Sequence, residues 1–339
     1  MPRADLMAEG ERIMRICNSC RYCEGYCAVF PAMERRQRFF EGDLNYLANL
    51  CHNCSECYYA CQYAPPHEFA VNVPKLLADI RARSYKQYAW PRAFANGIFV
   101  WFVVAACLIL AIPFANRSGG DFYQVVPHAV MVRLFGGVSI FVLIAFAIGF
   151  LRFWRNSGER LSEFFSPRAL TKALKDVFTL HYLDGGGGGC SYPGEQQSQS
   201  RRWLHHFTFY GFGLCFASTV TAAFYHYALG WKAPYGYFSA PVVLGSCGGI
   251  ALVAGTAGLL WLKRKASEQS GGDAAFLILL FLAAASGLLL LALRETAAMG
   301  VLLIAHLGLV LALFVTLPYG KFVHAIYRSA ALVKYALER

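Results

Sequence analysis

Eight of the twelve cysteines fall into two short stretches with the same spacing. Each stretch has the form C-x2-C-x2-C-x3-C, so that three thiols recur at every third residue and a fourth follows after a longer step. Three thiols spaced in this way bind one face of an iron–sulfur cubane, and the fourth reaches to a neighbouring cluster. The stretches contain Cys17, Cys20, Cys23 and Cys27, then Cys51, Cys54, Cys57 and Cys61.

This exchange of the fourth ligand predicts two [4Fe–4S] clusters with four cysteines each. The first cysteine set is Cys17, Cys20, Cys23 and Cys61, and the second is Cys51, Cys54, Cys57 and Cys27. Zinc is the alternative for clustered cysteines, but structural zinc sites take four ligands as two separated pairs. Eight cysteines at this spacing therefore favour iron and sulfide.

Apolar residues between the two stretches recur mostly at three- and four-residue steps, which predicts a helix and not strands. They are Phe39, Phe40, Leu44, Leu47 and Leu50. The pattern resembles the α-helical ferredoxin domains of fumarate reductase and heterodisulfide reductase subunits more than the β-rich bacterial ferredoxins. Neither stretch has a proline directly after its last cysteine.

The elements that position these cysteines divide into a polar part and an apolar part. Hydrophobic residues make up 57% of the chain, charged residues 15%, and the mean hydropathy is +0.41. After residue 92 come six uncharged runs long enough to cross a bilayer as helices. We expect an all-α protein: an N-terminal α-helical two-cluster ferredoxin domain at 1–92, followed by a six-helix transmembrane bundle at 93–339. The predicted helices lie near 94–115, 132–154, 203–227, 241–262, 274–293 and 300–323.

Positive charge is concentrated on one side of these helices. With the N-terminus inside, the inner segments contain 27 of the 31 Lys and Arg residues and the outer ones contain four. Such asymmetry predicts orientation, so we expect a multi-pass protein of the bacterial inner membrane with the cluster domain and both termini in the cytoplasm. The net charge of +11 lies in loops between apolar runs. This pattern indicates contact with membrane lipid and excludes nucleic acid as a partner.

Ionisable residues inside a membrane are costly and usually functional. Two of the apolar segments carry histidines near both ends, and the topology places them at matching depths. Paired imidazoles on facing helices are how a helix bundle holds six-coordinate haem. We therefore predict two b-type haems, an inner one between His324 and either His205 or His206, and an outer one between His226 and His306. His205 is preferred because its helical azimuth is nearer to that of His226.

Several other residues are open to two interpretations. The five glycines at 185–189 predict either a flexible linker or a close approach of the backbone to a cofactor or partner. Cys190 follows them in what we expect to be an exposed loop. Cysteines within the apolar segments are interpreted as packing residues: Cys107, Cys215 and Cys247. The remaining histidines are interpreted as ordinary or merely tuning: His52, His67, His128 and His181.

The chain resembles the tricarballylate/citrate utilization protein B family. The resemblance rests on CNSCRYCEGYCAVFP, CHNCSECYYACQYAPPHEFAVNVPKLL, GGGGGCSYPGE and RRWLHHFTFYGFGLCFAST. The membrane part of a precorrin-ring-contracting flavoprotein fusion is similar. The stretch AHLGLVLALFVTLPYGKFVHAIYR resembles the last haem-binding helix of the nitrate reductase gamma subunit, including its 18-residue histidine spacing.

The resemblance implies a role in electron transport. A separate FAD-dependent dehydrogenase oxidises tricarballylate, and the membrane protein is expected to re-oxidise its flavin and pass the electrons to quinone. The reverse flow, from quinol to a cytoplasmic reductase, uses the same parts and stays open. A cluster-based sensor is disfavoured because no signalling module follows the clusters. The chain shows no catalytic acid–base constellation of its own. A basic surface is expected to dock the flavoprotein or to contact anionic lipid, through Arg35, Arg36, Arg38, Arg81 and Arg83.

Overall fold

The computed structural model describes residues 3–95, 102–103, 106–107, 122–191, 194–265 and 274–339. Helices account for the regular structure of these residues, and no strand occurs among them beyond a single bridge between Cys190 and Ser198. The predicted all-α fold class is confirmed. The predicted helix at 94–115 lies mostly outside the described residues.

Five helices form the N-terminal body and carry the cysteine loops between them. They are α1 (Arg3–Cys20), α2 (Val29–Glu34), α3 (Glu41–Leu50), α4 (Glu56–Tyr59) and α5 (Val73–Tyr88). Helix α5 begins where the Asn72 side chain accepts a hydrogen bond from the Lys75 amide, a typical N-cap. The helical periodicity predicted before Cys51 is confirmed in α3, whose Leu44, Leu47 and Leu50 are buried. Phe40 precedes α3 and is 69% exposed.

The apolar part of the described chain contains five helices long and apolar enough to cross a membrane. After a short α6 (Phe122–Val125) come α7 (His128–Asn156), α8 (Leu161–Phe164), α9 (Pro167–Phe178), α10 (Ser200–Leu229), α11 (Ala240–Lys265), α12 (Ala274–Leu293) and α13 (Met299–Thr316). Small residues let α10 and α11 approach closely. A Cβ atom on Gly211 of α10 would lie 2.9 Å from the Gly248 oxygen of α11. The five long apolar helices agree with the predicted class, a membrane protein.

The last predicted helix, 300–323, is wrong in one respect. Helix α13 ends at Thr316, a short 3-10 turn follows at Lys321–Val323, and a separate helix α14 occupies His324–Leu337. Pro318 has no amide hydrogen to donate to the preceding turn, and the backbone at Gly320 is extended. His306 and His324 consequently lie on two different helices.

Helix α14 packs into the N-terminal body and also against the membrane-spanning helix α7, where the ring centroids of Tyr327 and Phe153 are 5.6 Å apart. Its buried Tyr327, Ala331 and Val333 belong to the same apolar core as the buried residues of α1, α3 and α5. Ion pairs reinforce the contact at distances of 2.5 Å between Arg36 and Glu338 and 2.6 Å between Lys334 and Glu159. The core thus continues across residue 92, where the amino-acid composition changes.

The segment that follows α7 is also part of this body. Its amphipathic helix α9 buries Ala169 and Ala173 on one face, as part of the same core that includes α14. The Trp154 indole at the end of α7 donates to the Arg160 carbonyl and is almost completely buried. The long loop between two membrane helices therefore completes the support of the cysteine loops.

Candidate metal and cofactor site

The eight cysteines form two groups of four neighbours. Burial raises the pKa of the Cys17 thiol to about 12, and the nearby Cys23, Cys61 and Cys20 add to this rise by repulsion. The pKa of Cys57 is raised by burial and by the nearby Cys54, Cys51 and Cys27, with a smaller contribution from Cys23 of the first set. These neighbourhoods correspond to the first and second cysteine sets, with the last cysteine of each sequence stretch among the thiols of the other stretch.

The chemistry of these groups suits an iron–sulfur cluster. Four buried thiols cannot all ionise unless a cation balances their charge, and a bound metal deprotonates its thiol ligands outright. A single zinc ion needs all its ligands within about 2.3 Å. No group of three or more His, Cys, Asp or Glu side chains in the described residues is gathered for one ion. A cubane spreads its four thiolates over four irons and so accepts a wider group. Ligation itself stays a prediction.

The cysteine loops contain residues with uncommon backbone conformations. Arg21, Asn53 and Ser55 have positive φ angles of 55°, 55° and 66°, which are uncommon for residues with a side chain. The Asn53 amide donates to the Cys51 sulfur at 3.3 Å. Hydrogen bonds to ligand sulfurs are one of the means by which proteins set the potential of a cluster.

The glycine loop (residues 184–191) lies directly against both cysteine stretches. A Cβ atom on Gly186, whose φ is +82°, would be 3.1 Å from the Gly25 oxygen, which belongs to the first stretch. Glu56, in the second stretch, accepts hydrogen bonds from Ser191 at 2.5 Å and Gln197 at 2.6 Å. Of the two interpretations of the glycines, the structure supports close backbone approach.

Cys190 lies near the end of this loop and is fully buried, so the expectation that it is exposed is wrong. It packs in one apolar cluster with Cys54, Leu180 and Leu183. Its sulfur donates to the Leu183 carbonyl at 3.3 Å. Sequence spacing gave no sign of this ninth thiol near the second cysteine set, because its position depends on a contact between residues far apart in the chain.

Three arginines, which we name the arginine group (Arg81, Arg201 and Arg328), bind the backbone that carries Cys51. Arg81 donates to the carbonyls of Ala48 and Cys51 at 2.9 and 2.5 Å. Arg328 donates to Asn49 and Cys51 at 3.2 and 2.7 Å. Arg201 donates to His52 and Asn53 at 3.1 and 2.6 Å. Sequence analysis missed this group as a unit, since its members come from α5, α10 and α14.

Two arginines of the predicted docking surface are engaged elsewhere. The Arg36 guanidinium contacts Asp43 at 2.7 Å and Glu338 at 2.5 Å and is only 10% exposed. Arg81 belongs to the arginine group. Arg35 and Arg38 are exposed and Arg83 is partly exposed. The basic surface is therefore smaller than the sequence predicted.

His205 and His324 face each other next to this backbone. Their ring centroids are 6.1 Å apart. Two imidazoles bound to one metal have centroids about 6 Å apart, from two metal–nitrogen bonds of about 2 Å and two ring radii of about 1 Å. The Nδ1 of His324 donates to the Lys321 carbonyl at 2.5 Å, which leaves Nε2 as the acceptor nitrogen that a metal needs. The spacing of this pair agrees with two imidazoles on one iron, and haem ligation by it stays a prediction.

The structure distinguishes between the two adjacent histidines of α10. His206 stacks on Tyr210 with ring centroids 5.7 Å apart and also contacts Trp203. The ring of His205 is the one that faces α14. His205 is therefore the better partner for His324.

The predicted outer pair of His226 and His306 is not formed. His226 stacks on His128 with centroids 3.9 Å apart and an interplanar angle of 25°, which leaves no room for iron between the rings. His306 lies 3.1 Å from the Ser286 hydroxyl of α12 and packs against Gly287. The expected pairing fails because His306 faces α12, while His226 faces His128, which begins α7 and does not lie in a loop.

Comparison with known proteins matches both parts of the chain to models of one family. Residues 10–87 match the family model described as "Citrate utilization protein B Fer4-like domain", and residues 100–339 match "Citrate utilization protein B". A curated relative, "Citrate utilization protein B" of Escherichia coli, is 49% identical over 98% of this chain and 92% of its own length. No solved structure matches the chain.

Proposed function

This chain belongs to the citrate utilization protein B family, and from that premise we propose that it transfers electrons from a reduced flavoprotein to membrane quinone. Its Fer4-like domain and membrane helices indicate an iron–sulfur electron-transfer role in citrate or tricarballylate utilization. The proposed donor is an FAD-dependent dehydrogenase that oxidises a tricarboxylate. The proposed carriers are two [4Fe–4S] clusters and one b-type haem.

The contact between the cysteine loops and the histidine pair supports this proposal most directly. Cys51 of the second cysteine set is followed by His52, which is buried next to His205 and Arg328. Burial, and after it the nearby positive charge of Arg328, holds the pKa of His52 well below its ordinary value. A neutral side chain and a hydrogen-bonded backbone thus connect the second cysteine set with the proposed haem ligands.

The electron balance of the proposal is simple. The reduced flavin gives up two electrons and two protons, and quinone takes up the same number when it becomes quinol. Iron–sulfur clusters and haem are one-electron carriers, so the chain passes the two electrons singly. Its own residues supply ligands, an insulated interior and a fixed charge environment. No proton-transferring side chain is required between the cysteine sets and the histidine pair.

The identity of the electron donor is tested directly by offering the protein two possible donors. Anaerobically purified protein in lipid nanodiscs is mixed either with the reduced flavoprotein or with quinol, and haem reduction is followed in a stopped-flow spectrometer. We expect rapid haem reduction by the flavoprotein, followed by slower re-oxidation when quinone is added. The same mixture with Cys20→Ser protein is expected to reduce haem slowly.

Three results would contradict the proposal. Haem that is reduced rapidly by quinol and not by the flavoprotein would reverse the direction of flow. Protein that contains iron and sulfide but no b-type absorbance would remove haem from the scheme. An unchanged rate in Cys20→Ser protein would exclude the first cysteine set from the route.

A further inference from the structure

The arginine group donates hydrogen bonds to the backbone at and next to Cys51, but the proposed electron transfer does not itself require these arginines. Arg328 lies on α14, Arg81 on α5, and Arg201 at the start of α10. Arg81 and Arg328 both donate to the Cys51 carbonyl. Two guanidinium groups from helices far apart in sequence therefore converge on the backbone of a single predicted cluster ligand.

Arg81 and Arg328 donate only to main-chain carbonyl oxygens in these hydrogen bonds. The acceptors belong to Ala48, Asn49 and Cys51. Carbonyl oxygens satisfy the N–H donors without cancelling the positive charge. Arg328 keeps its positive charge at neutral pH, because arginine is not deprotonated in proteins. Burying a cation is costly unless an anion is near.

The second cysteine set supplies such an anion when it holds a cluster. The Cys51 thiol is within electrostatic range of Arg328, and the Cys54 thiol is within range of Arg201. Four thiolates around a cubane leave a net negative charge, which increases by one when the cluster is reduced. A nearby positive charge stabilises the reduced form more than the oxidised form, and a low-dielectric interior strengthens this effect.

We propose that Arg81 and Arg328 are positioning residues of the second cysteine set, which fix its Cys51 loop and raise the reduction potential of the cluster it binds. The inference rests on the proposed function, because it requires that this set binds a [4Fe–4S] cluster. It adds a direction to that function: electrons that reach the second set are held next to His205 and His324 and not returned to the first.

The test measures midpoint potentials and not turnover. Each cluster is titrated with redox mediators and followed by low-temperature EPR, with Cys20→Ser and Cys57→Ser used to assign the signals. In Arg328→Gln and Arg81→Gln proteins we expect the reduced-to-oxidised ratio of the second cluster to fall about tenfold at a fixed ambient potential, which is ~59 mV for one electron. The first cluster should keep its potential.

Charge-conserving and matched variants make the result specific. Arg328→Lys and Arg81→Lys should keep most of the potential of the second cluster, because they retain the positive charge. Arg83→Gln removes a charge from the same helix as Arg81, two residues farther along, and should change neither cluster. If Arg328→Gln does not fold, the Arg81→Gln and Arg81→Lys pair decides the question in the same way.

The outcomes separate this inference from the proposed function. Two clusters with unchanged potentials in the Gln variants would overturn the inference and leave the proposed function intact. Equal shifts in the Gln and Lys variants would also overturn it, because charge would not be the cause. Wild-type protein without iron and sulfide would instead overturn the proposed function.

Discussion

At the scale of single residues, the histidine pair rests on hydrogen-bond geometry. His324 gives its Nδ1 hydrogen to the Lys321 carbonyl, and His205 faces it from α10. A ligating histidine normally has its second nitrogen fixed by such an acceptor. His306 has a different environment, in which the Ser286 hydroxyl occupies Nδ1 and α12 packs against the ring. These two surroundings predict opposite results for two otherwise similar substitutions.

Replacing His324 by alanine is expected to abolish the b-type absorbance, since an axial ligand is lost. His205→Ala should have the same effect. His306→Ala and His206→Ala serve as matched controls and should retain the haem, because neither imidazole belongs to the facing pair. The measurement is the pyridine haemochrome content per protein in reduced-minus-oxidised spectra. Full haem content in His324→Ala protein would exclude this residue as a ligand.

The cysteines permit a comparable test. Cys20→Ser is expected to remove one of the two [4Fe–4S] signals, because serine is a poor ligand for these clusters. Cys190→Ser changes a buried thiol outside both cysteine sets and should leave iron and sulfide content unchanged. Iron, sulfide and EPR spin quantification under anaerobic conditions check both outcomes. Equal iron loss in the two variants would mean that Cys190 is a ligand.

Most of the site at this scale could be predicted from local spacing, and the remainder could not. The eight cysteines repeat a short pattern, so their grouping follows from sequence alone. The choice of His205 over His206 and the loss of the pair of His226 and His306 depend on how helices face each other. The arginine group depends on contacts between residues about 30 to 280 positions apart, such as Arg328 with Asn49.

At the scale of elements, α14 stabilises the N-terminal body, a role that the amino-acid sequence did not predict. The Lys334 ammonium lies 2.6 Å from Glu159 and also donates to the Ser157 carbonyl, although its side chain is only 6% exposed. Removing one partner of a buried ion pair leaves the other uncompensated. The break at Pro318 turns this helix out of the line of α13 and towards the cysteine loops.

Lys334→Ala is therefore expected to destabilise the protein by about 3 kcal/mol. Arg15→Ala is the control, because the Arg15 side chain is 61% exposed and its ion pair with Glu11 contributes little. The free energy of unfolding is measured by urea denaturation of detergent-solubilised protein, followed by tryptophan fluorescence. A Lys334→Ala midpoint equal to that of the control would show that α14 is not anchored by this residue.

At the scale of the whole molecule, the membrane part and the cluster-bearing part share one core. Hydropathy predicted most membrane helices correctly, since long apolar runs leave few alternatives in a bilayer. It did not predict that the chain after α13 returns to the N-terminal body. That return requires both cysteine stretches and the C-terminus to lie on the same side of the membrane.

This requirement leads to a topological prediction. Reporter fusions at residue 339 and within 157–199 should be active only as cytoplasmic reporters, such as a fluorescent protein. A fusion between α11 and α12 should behave in the same way, and one between α10 and α11 should be active only as a periplasmic phosphatase. The reason is the charge distribution, because 27 of the 31 basic residues fall in the segments that this orientation would place inside. Phosphatase activity at residue 339 would refute the orientation.

The glycine loop has a consequence for the biosynthesis of the protein. Cys61 and Cys190 of the glycine loop are about 130 residues apart, and a ribosome adds roughly 5–20 residues per second. Both cysteine stretches thus emerge from the ribosome roughly 6–26 s before the loop that lies on them emerges. Maturation factors that deliver iron and sulfide have this interval for access from the cytosol. The loop comes into place once it and α10 have been synthesised, and we expect loading of the predicted clusters to precede this step.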